Sequence, residues 1–189
     1  NLSYSKYISL ENKDSSNKFV RKANFYLSLN YLSLRHFDEA LRLYKFRHSE
    51  DILKKYECLP KWERSIVTGN VLVWAEQGIG DEIFFARFLP LLKKYRATFY
   101  LECDKRLHEI IKYNNPNLKL LDRSVIQDLK NFDFQIAFGD LFALFSEYIN
   151  DLNTPYIKIR VRPEIKMIAD TCKNKSIVGV SWRTLSQEP

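Results

Sequence analysis

Residues 71–90 read VLVWAEQGIGDEIFFARFLP, and this stretch decides the fold that the sequence predicts. An apolar run typical of a buried strand comes first, two glycines separated by one residue follow, and apolar residues at helical spacing close the stretch. We therefore predict a strand at residues 71–74 and then a helix whose inner face carries Phe84, Phe88 and Leu91.

The alternation of strand and helix continues beyond residue 90. Further strands are expected at residues 97–101, 118–121 and 134–138, and helices at residues 107–111 and 125–129. Strands separated by helices of this length predict a parallel sheet with both faces covered. The sequence thus predicts an α/β fold, with a Rossmann-like domain over residues 70–153.

The first 60 residues are predicted to be helical. Two helices are expected between residues 19 and 47, meeting at residues 35–38, with apolar stripes made of Leu27, Tyr31 and Leu34 and of Phe37, Ala40, Leu41 and Tyr44. Ser28 and Ala40 lie at the spacing of a tetratricopeptide unit, whose small residues let helices cross closely, but Arg47 stands where another small residue is expected. The segment is therefore either an ordinary helical hairpin or the last unit of a repeat array.

The C-terminal part is predicted to begin a second domain. Residues 154–175 have the pattern of a linker bounded by prolines and then a helix. SIVGVSW at residues 176–182 is typical of a strand, which we predict to be the first strand of a second Rossmann-like domain over residues 176–189. We expect the chain to be a fragment, with most of that domain outside it.

Charge and hydropathy argue against a nucleic-acid-binding protein and against a membrane-spanning protein. The net charge is +7, but lysines and arginines are interleaved with acids in every segment and no nucleic-acid-binding motif is present, so no nucleic-acid partner is expected. No stretch approaches the roughly 18 consecutive apolar residues of a membrane span, and no secretory leader is recognisable. A soluble, cytoplasmic protein is expected, with weak attraction to acidic substrates or lipid head groups.

The cysteines and histidines do not form a metal-binding pattern. Cysteines at positions 58, 103 and 172 lack Cys-x-x-Cys spacing, and histidines at positions 36, 48 and 108 lack ligand spacing. We predict reduced, buried thiols and no metal site.

The glycine turn at residues 78–80 is compared first with a dinucleotide-binding fingerprint. Gly78 and Gly80 supply the first two glycines, and Glu102 or Asp104 lies where an acid would bind ribose. Ile83 replaces the third glycine, which normally permits close packing of helix on strand. The acids that follow the turn would also repel a pyrophosphate at the start of the helix. A phosphate-binding turn is therefore disfavoured.

Two adjacent acids, Asp81 and Glu82, follow this turn, and Glu76 precedes it. Asp81 fits an N-cap, with Glu82 as an acid in the first helical turn. It equally fits a general base, because ligands of doubly wound sheets bind at the carboxyl ends of the strands, where this turn is expected. The residues by themselves leave both interpretations open.

Four segments together resemble a known family. They are PKW at residues 60–62, VLVWAEQGIGDEIFFARFLPLL at 71–92, FYLECDKRL at 99–107 and IVGVSWRT at 177–184. From about Leu27 to the end, the chain resembles tetratricopeptide-linked glycosyltransferases, which are relatives of the bacterial heptosyltransferases with the GT-B fold. The resemblance implies that residues 70–153 are the acceptor-side half of a GT-B enzyme and that the helices before them are a terminal tetratricopeptide-like unit.

The resemblance also implies site residues. The family places its catalytic base at a Gly-Asp pair after the first strand, which falls here on Gly80 and Asp81, with Glu82 as the second candidate. Gln77, Gly78 and Gly80 would let the acceptor sugar approach the backbone closely. Arg87 would orient an acid or bind an acceptor phosphate, although an ordinary surface salt bridge explains it equally well.

On the donor side, the resemblance points to the end of the chain. Ser181, Trp182 and Arg183 match the start of a donor-binding loop, where a guanidinium could pair with a diphosphate. The expected reaction is an inverting, metal-independent glycosyl transfer that uses a nucleotide-sugar as co-substrate and no other cofactor. The acceptor would be a glycan, a lipid-linked molecule or a protein, at the inner face of the membrane if it is lipid-linked, and the helices could bind a protein partner. A non-catalytic scaffold or binding module is the alternative.

Overall fold

The computed structural model describes residues 18–66, 68–76, 78–125, 127–151, 156–158 and 163–171. Within them the chain is an α/β protein whose strands are β1 (Asn70–Trp74), β2 (Thr98–Cys103), β3 (Lys119–Asp122) and β4 (Phe134–Ala137). They form one sheet in the order β3-β2-β1-β4, and every neighbouring pair is parallel. The predicted parallel sheet is confirmed, and this sheet is compatible with a Rossmann-like fold.

Helices precede the sheet and connect its strands. The α-helices are α1 (Lys18–Ser33), α2 (Phe37–Tyr44), α3 (Glu50–Tyr56), α4 (Ile79–Phe85), α5 (His108–Asn114), α6 (Asp140–Leu144) and α7 (Pro163–Thr171). In the same described residues, 3-10 helices span Lys45–Arg47, Ala86–Lys94, Lys105–Leu107, Leu129–Asn131 and Ser146–Asp151.

The helix pair α1–α2 is present where it was predicted, but its buried stripe differs. Arg35 has a φ of 61°, which ends α1 between the two helices and leaves Leu34 exposed. The prediction of Leu34 on the inner face is therefore wrong. Val20, Asn24 and Ser28 are the buried residues of α1, and both Ser28 and Ala40 are fully buried.

The helix after β1 changes type at Ala86. The 3-10 helix Ala86–Lys94 follows, and it contains Pro90, whose nitrogen has no N–H to donate to the carbonyl of Ala86. The period drops from 3.6 to 3 residues, and Phe85 and Phe88 are buried together with Ala86, Leu89 and Leu92. The predicted inner face is correct for Phe88 and wrong for Phe84, which is 36% exposed.

The helix predicted at residues 125–129 is also wrong. The Asp122 carboxylate accepts hydrogen bonds from the N–H and hydroxyl of Ser124, and Val125 N donates to Asp122 O, so a turn replaces the first part of the helix. Among the described residues of this segment, 125 and 127–131, the helix that forms is the 3-10 helix Leu129–Asn131, with Asp128 as its N-cap.

The sheet is buried on both faces. Alternating residues of β1 belong to two hydrophobic clusters: Val71 and Val73 lie on one side, and Leu72 and Trp74 on the other. The segment around Lys61 extends the sheet beside β4, because Trp62 N donates to Gln135 O at 2.8 Å. The PKW segment is thereby fixed at the edge of the sheet.

By its contacts the chain divides into two compact units, Asn1–Lys158 and Ile159–Pro189. The first unit contains α1–α6 and the whole sheet, and the second contains α7. The strand predicted at residues 176–182 lies outside the described residues. Among the described helices, none combines the length and the apolar character that a bilayer crossing requires.

Candidate functional site

The order in which strands are added to the sheet reverses between β1 and β4. The chain moves outward from β1 to β2 and β3, and β4 then lies on the other side of β1. In doubly wound sheets the ligand crevice lies outside the carboxyl ends of the strands at such a reversal. Here Glu76 follows β1 and Asp140 follows β4, so two carboxylates face each other at this position.

The crevice between β1 and β4 is occupied by Arg47, from the end of the helical segment. Its guanidinium donates from Nε to Glu76 Oε2 at 2.6 Å, and from Nη2 to Glu76 Oε1 and Asp140 Oδ1, each at 2.7 Å. The side chains of Arg47 and Glu76 are 2% and 4% exposed. Because a buried charge is tolerated only when it is paired, this bidentate contact locks the helices onto the sheet.

Two further side chains, His48 and Lys61, complete this ion network, which we define as Arg47, His48, Lys61, Glu76 and Asp140. His48 Nδ1 lies 3.0 Å from Glu76 Oε2, and His48 Nε2 lies 3.6 Å from Asp140 Oδ1. Lys61 Nζ donates to Asp140 Oδ2 at 2.6 Å, and the backbone N–H of Gly139 donates to Glu76 Oε1 at 2.7 Å.

For both carboxylates of the network, pairing with cationic groups lowers the pKa by more than burial raises it. Burial by itself raises the pKa of Glu76, but hydrogen bonds from His48 and Arg47 more than offset it, so its pKa lies below the ordinary value. Burial also raises the pKa of Asp140. This effect is outweighed by His48, Arg47 and Lys61, which together hold the pKa of Asp140 far below its usual range. Both groups are therefore ionised near neutral pH, and neither is suited to accept a proton there.

His48 makes the network sensitive to pH. Burial lowers the pKa of His48, but the facing carboxylates of Asp140 and Glu76 outweigh it and raise the pKa above 6.5. The stability that protonated His48 contributes is thus fully present below pH 6.5 and is lost as the pH rises through the higher folded-state pKa. We expect urea unfolding to show a stability difference between the wild type and His48→Gln that shrinks from pH 5.5 to pH 8.5. A difference independent of pH would contradict this assignment.

Position 139 requires glycine because neighbouring side chains lie very close to its backbone. A Cβ at this position would lie 2.7 Å from Glu76 Oε1 and 2.9 Å from Arg47 Nη2. We expect Gly139→Ala to lower the free energy of unfolding by about 1–3 kcal/mol, as overpacking does, in a urea titration. Gly80→Ala is the control, because a Cβ on Gly80 meets nothing within 4 Å. Equal stability of the two variants would show that Gly139 is not a packing constraint.

Glu82 is a buried anchor, 2% exposed. Its Oε2 accepts a hydrogen bond of 2.8 Å from Asp104 N, after β2, and its Oε1 pairs with Arg123, after β3. Glu82 thereby ties the first turn of α4 to the ends of two strands. This placement fits a positioning role better than proton transfer.

Asp81 is exposed to solvent, although the adjacent Glu82 is buried. Gly78, not Asp81, is the N-cap of α4, because the N–H groups of Asp81 and Glu82 both donate to Gly78 O. The N-cap role for Asp81, one of the two interpretations that the sequence left open, is therefore excluded. As the third helical residue it accepts one hydrogen bond, from Gly78 N at 3.3 Å, and its side chain is exposed.

The other predicted site residues are placed as follows. Gly78 has a φ of −76°, which any residue adopts, so neither its conformation nor the space around Gly80 requires glycine. Arg87 stacks on the rings of Phe84 and Tyr156. Gln77 and residues 181–183 lie outside the described residues.

The ion network was not predicted from the sequence. In the sequence Arg47 departs from small-residue spacing and His48 is an isolated histidine, so neither residue by itself indicates an ion pair. The available signal was the pair of acids directly after the first and fourth strands, Glu76 and Asp140, which needed cationic partners.

The two described cysteines differ in exposure. Burial raises the pKa of Cys103 to about 12, whereas Cys58 is exposed, so the prediction of buried thiols is wrong for Cys58. In the part of the chain that the structure describes, no group of three or more His, Cys, Asp or Glu side chains is arranged to hold a metal ion. In comparisons with family models, with curated proteins and with solved structures, no match to the chain was found.

Proposed function

We propose that the chain is the acceptor-side half of an inverting, metal-independent glycosyltransferase of the GT-B type, with Asp81 as the general base. One observation carries the proposal: among the described residues the Asp81 carboxylate is exposed at the carboxyl edge of the sheet and has no cationic partner. Four other carboxylates at this edge each pair with an arginine: Glu76, Glu82, Asp104 and Asp140.

In the proposed reaction Asp81 accepts the proton of an acceptor hydroxyl. The hydroxyl oxygen forms a bond to the anomeric carbon while the bond to the nucleoside diphosphate breaks, and the leaving group keeps the electron pair. Such a step inverts the anomeric configuration. Glu82 holds the turn that carries Asp81 through its contacts with Asp104 N and Arg123.

Other parts of the proposal extend beyond the described site. Ser181, Trp182 and Arg183 would begin the donor-binding half. The helices α1 and α2 would be a terminal tetratricopeptide-like unit, because Ser28 and Ala40 are both fully buried in a pair of contacting helices. The acceptor would be a glycan, a lipid-linked molecule at the inner membrane face, or a protein.

The test is nucleotide-sugar consumption by the full-length protein. We expect release of a nucleoside diphosphate from at least one member of a panel containing UDP-glucose, UDP-N-acetylglucosamine and GDP-mannose, at a rate that EDTA does not change. Consumption of none of them, or loss of activity with EDTA, would contradict the proposal.

A second candidate, a non-catalytic scaffold, is favoured by the ion network. Arg47 and His48 occupy the crevice where ligands of doubly wound sheets bind, so ion pairs join the helices to the sheet at the place where a ligand would lie. A full-length protein that consumes no nucleotide-sugar but binds a protein partner through α1 and α2 would support this candidate over the enzyme.

A further inference from the structure

A recess lies at the edge of the sheet opposite to Asp81. It has a volume of about 250 Å³ and is lined by residues at the amino ends of two neighbouring strands, including Ala97 before β2 and Leu118 before β3. Other parts of its wall come from the 3-10 helix Ala86–Lys94 and from the loop after α5. Because the amino and carboxyl ends of parallel strands lie at opposite edges of a sheet, this recess is separate from the crevice between β1 and β4.

Much of the lining is apolar. Five of the lining side chains are hydrophobic and at most 9% exposed: Leu89, Leu92, Ala97, Phe99 and Leu118. The volume of about 250 Å³ is slightly below the roughly 300–1,000 Å³ of sites for drug-sized ligands, so the recess fits a molecule with a single ring. Removal of the apolar surface of that ring from water favours binding.

Three polar side chains without partners line the same recess. Within the described ranges Lys93, Thr98 and Asn117 make no side-chain hydrogen bond or ion pair, and Lys93 and Asn117 are exposed. The adjacent Lys94 instead donates a hydrogen bond to the Tyr148 hydroxyl at 3.0 Å. A positive charge together with hydroxyl and amide donors suits a carboxylate, which accepts hydrogen bonds at both oxygens.

Asn115 adds a buried hydrogen-bond acceptor to the recess. The residue is 6% exposed, and its Oδ1 has no hydrogen-bond partner among the described residues. A buried acceptor that is left unpaired costs free energy, so a ligand that brings a donor removes this cost. The amide is held by a long hydrogen bond, from Nδ2 to Ile111 O at 3.4 Å, and a turn about its soft χ2 angle brings Oδ1 to the donor.

We propose that this recess is a binding site for a small, single-ring carboxylic acid that also carries a hydroxyl group. The ring packs on the apolar lining, the carboxylate pairs with Lys93 at the exposed rim, and the hydroxyl donates to Asn115 Oδ1. The site does not involve Asp81, so it goes beyond the proposed glycosyl transfer and does not depend on it.

The test is an NMR titration of the full-length protein at pH 7 with 4-hydroxybenzoate, benzoate and phenol. Benzoate lacks the hydroxyl and phenol lacks the carboxylate. We expect 4-hydroxybenzoate to bind with a Kd of about 1 mM or lower, and each of the other two to bind about tenfold more weakly. The side-chain amide signal of Asn115 should shift with 4-hydroxybenzoate, because the hydroxyl pairs with that amide.

Two neighbouring lysines provide a matched pair of variants. Lys93→Gln should weaken the binding of 4-hydroxybenzoate about tenfold and leave the binding of phenol unchanged, because phenol has no charge to pair. Lys94→Gln should change both affinities by less than about twofold, since Lys94 does not line the recess. Asn115→Leu should reduce the affinity for 4-hydroxybenzoate to that for benzoate, and the lysine comparison stands by itself if this variant does not fold.

Three results would overturn the proposal. Binding of none of the probes at about 10 mM would leave water as the occupant of the recess. Equal losses in Lys93→Gln and Lys94→Gln would place the carboxylate elsewhere, and benzoate binding as tightly as 4-hydroxybenzoate would exclude the contact with Asn115. Asp81→Asn should leave all three affinities unchanged, so the outcome is separate from that of the nucleotide-sugar assay.

Discussion

Asp81→Asn is expected to lower turnover of the full-length protein by about 100- to 10,000-fold, the usual loss when a general base is removed. Asparagine keeps the oxygen that accepts the hydrogen bond from Gly78 N, but it cannot take a proton from a hydroxyl. The free energy of unfolding should therefore change by no more than about 1 kcal/mol. Steady-state kinetics and urea unfolding of the same preparation measure both effects.

Glu82→Gln is the matched control, and its expected pattern is the reverse. The substitution removes the charge that pairs with Arg123 at a buried position, so stability should fall by about 1–3 kcal/mol. Turnover of the folded protein should fall much less than in Asp81→Asn. If Glu82→Gln carries the large kinetic loss while Asp81→Asn retains activity, the two carboxylates have been assigned the wrong roles.

Glu76→Gln is expected to produce the largest loss of stability, about 3 kcal/mol or more, as breaking a buried ion pair does. The substitution leaves the buried Arg47 with Asp140 as its carboxylate partner in the network and weakens the contact between the helices and the sheet. Urea unfolding at pH 7 measures the loss. Glu147→Gln, in the exposed pair with Arg64, is the control and should cost no more than about 1 kcal/mol.

A double-mutant cycle makes this prediction sharper. If Arg47 and Glu76 act as one unit, the loss for Arg47→Met with Glu76→Gln should be smaller than the sum of the two single losses. Additive losses would contradict the network, and a stability of Glu76→Gln equal to that of Glu147→Gln would contradict its importance.

Strands β1 and β4 could be predicted because each is a short, largely apolar run whose residues pack into both hydrophobic clusters, one on each face of the sheet. Residues 71–74 and 134–138 match β1 and β4 closely for this reason. The buried face of each helix was less predictable, since it depends on where the helix ends and where its type changes. The helix type changes after Phe85, in a segment that contains Pro90, and Arg35 ends α1 before Leu34.

The candidate site was only partly predictable for a similar reason. The sequence indicates two adjacent acids after a strand, but the phase of α4 decides which one is buried. Because Gly78 is the N-cap, Glu82 faces the ends of β2 and β3 while Asp81 remains exposed. The ion network joins Arg47 to Glu76 and Asp140, which lie 29 and 93 residues away, and no local pattern encodes that pairing.

The anomeric configuration of the first sugar released tests the central claim most directly. The panel donors are α-linked, and water can replace the acceptor hydroxyl in a slow hydrolysis, so early ¹H NMR spectra of the full-length protein with a consumed donor show the product before it equilibrates. A base that activates a single displacement, as proposed for Asp81, predicts that the β-anomer appears first and that Asp81→Asn suppresses it. First appearance of the α-anomer, or β-anomer release unchanged in Asp81→Asn, would contradict the account.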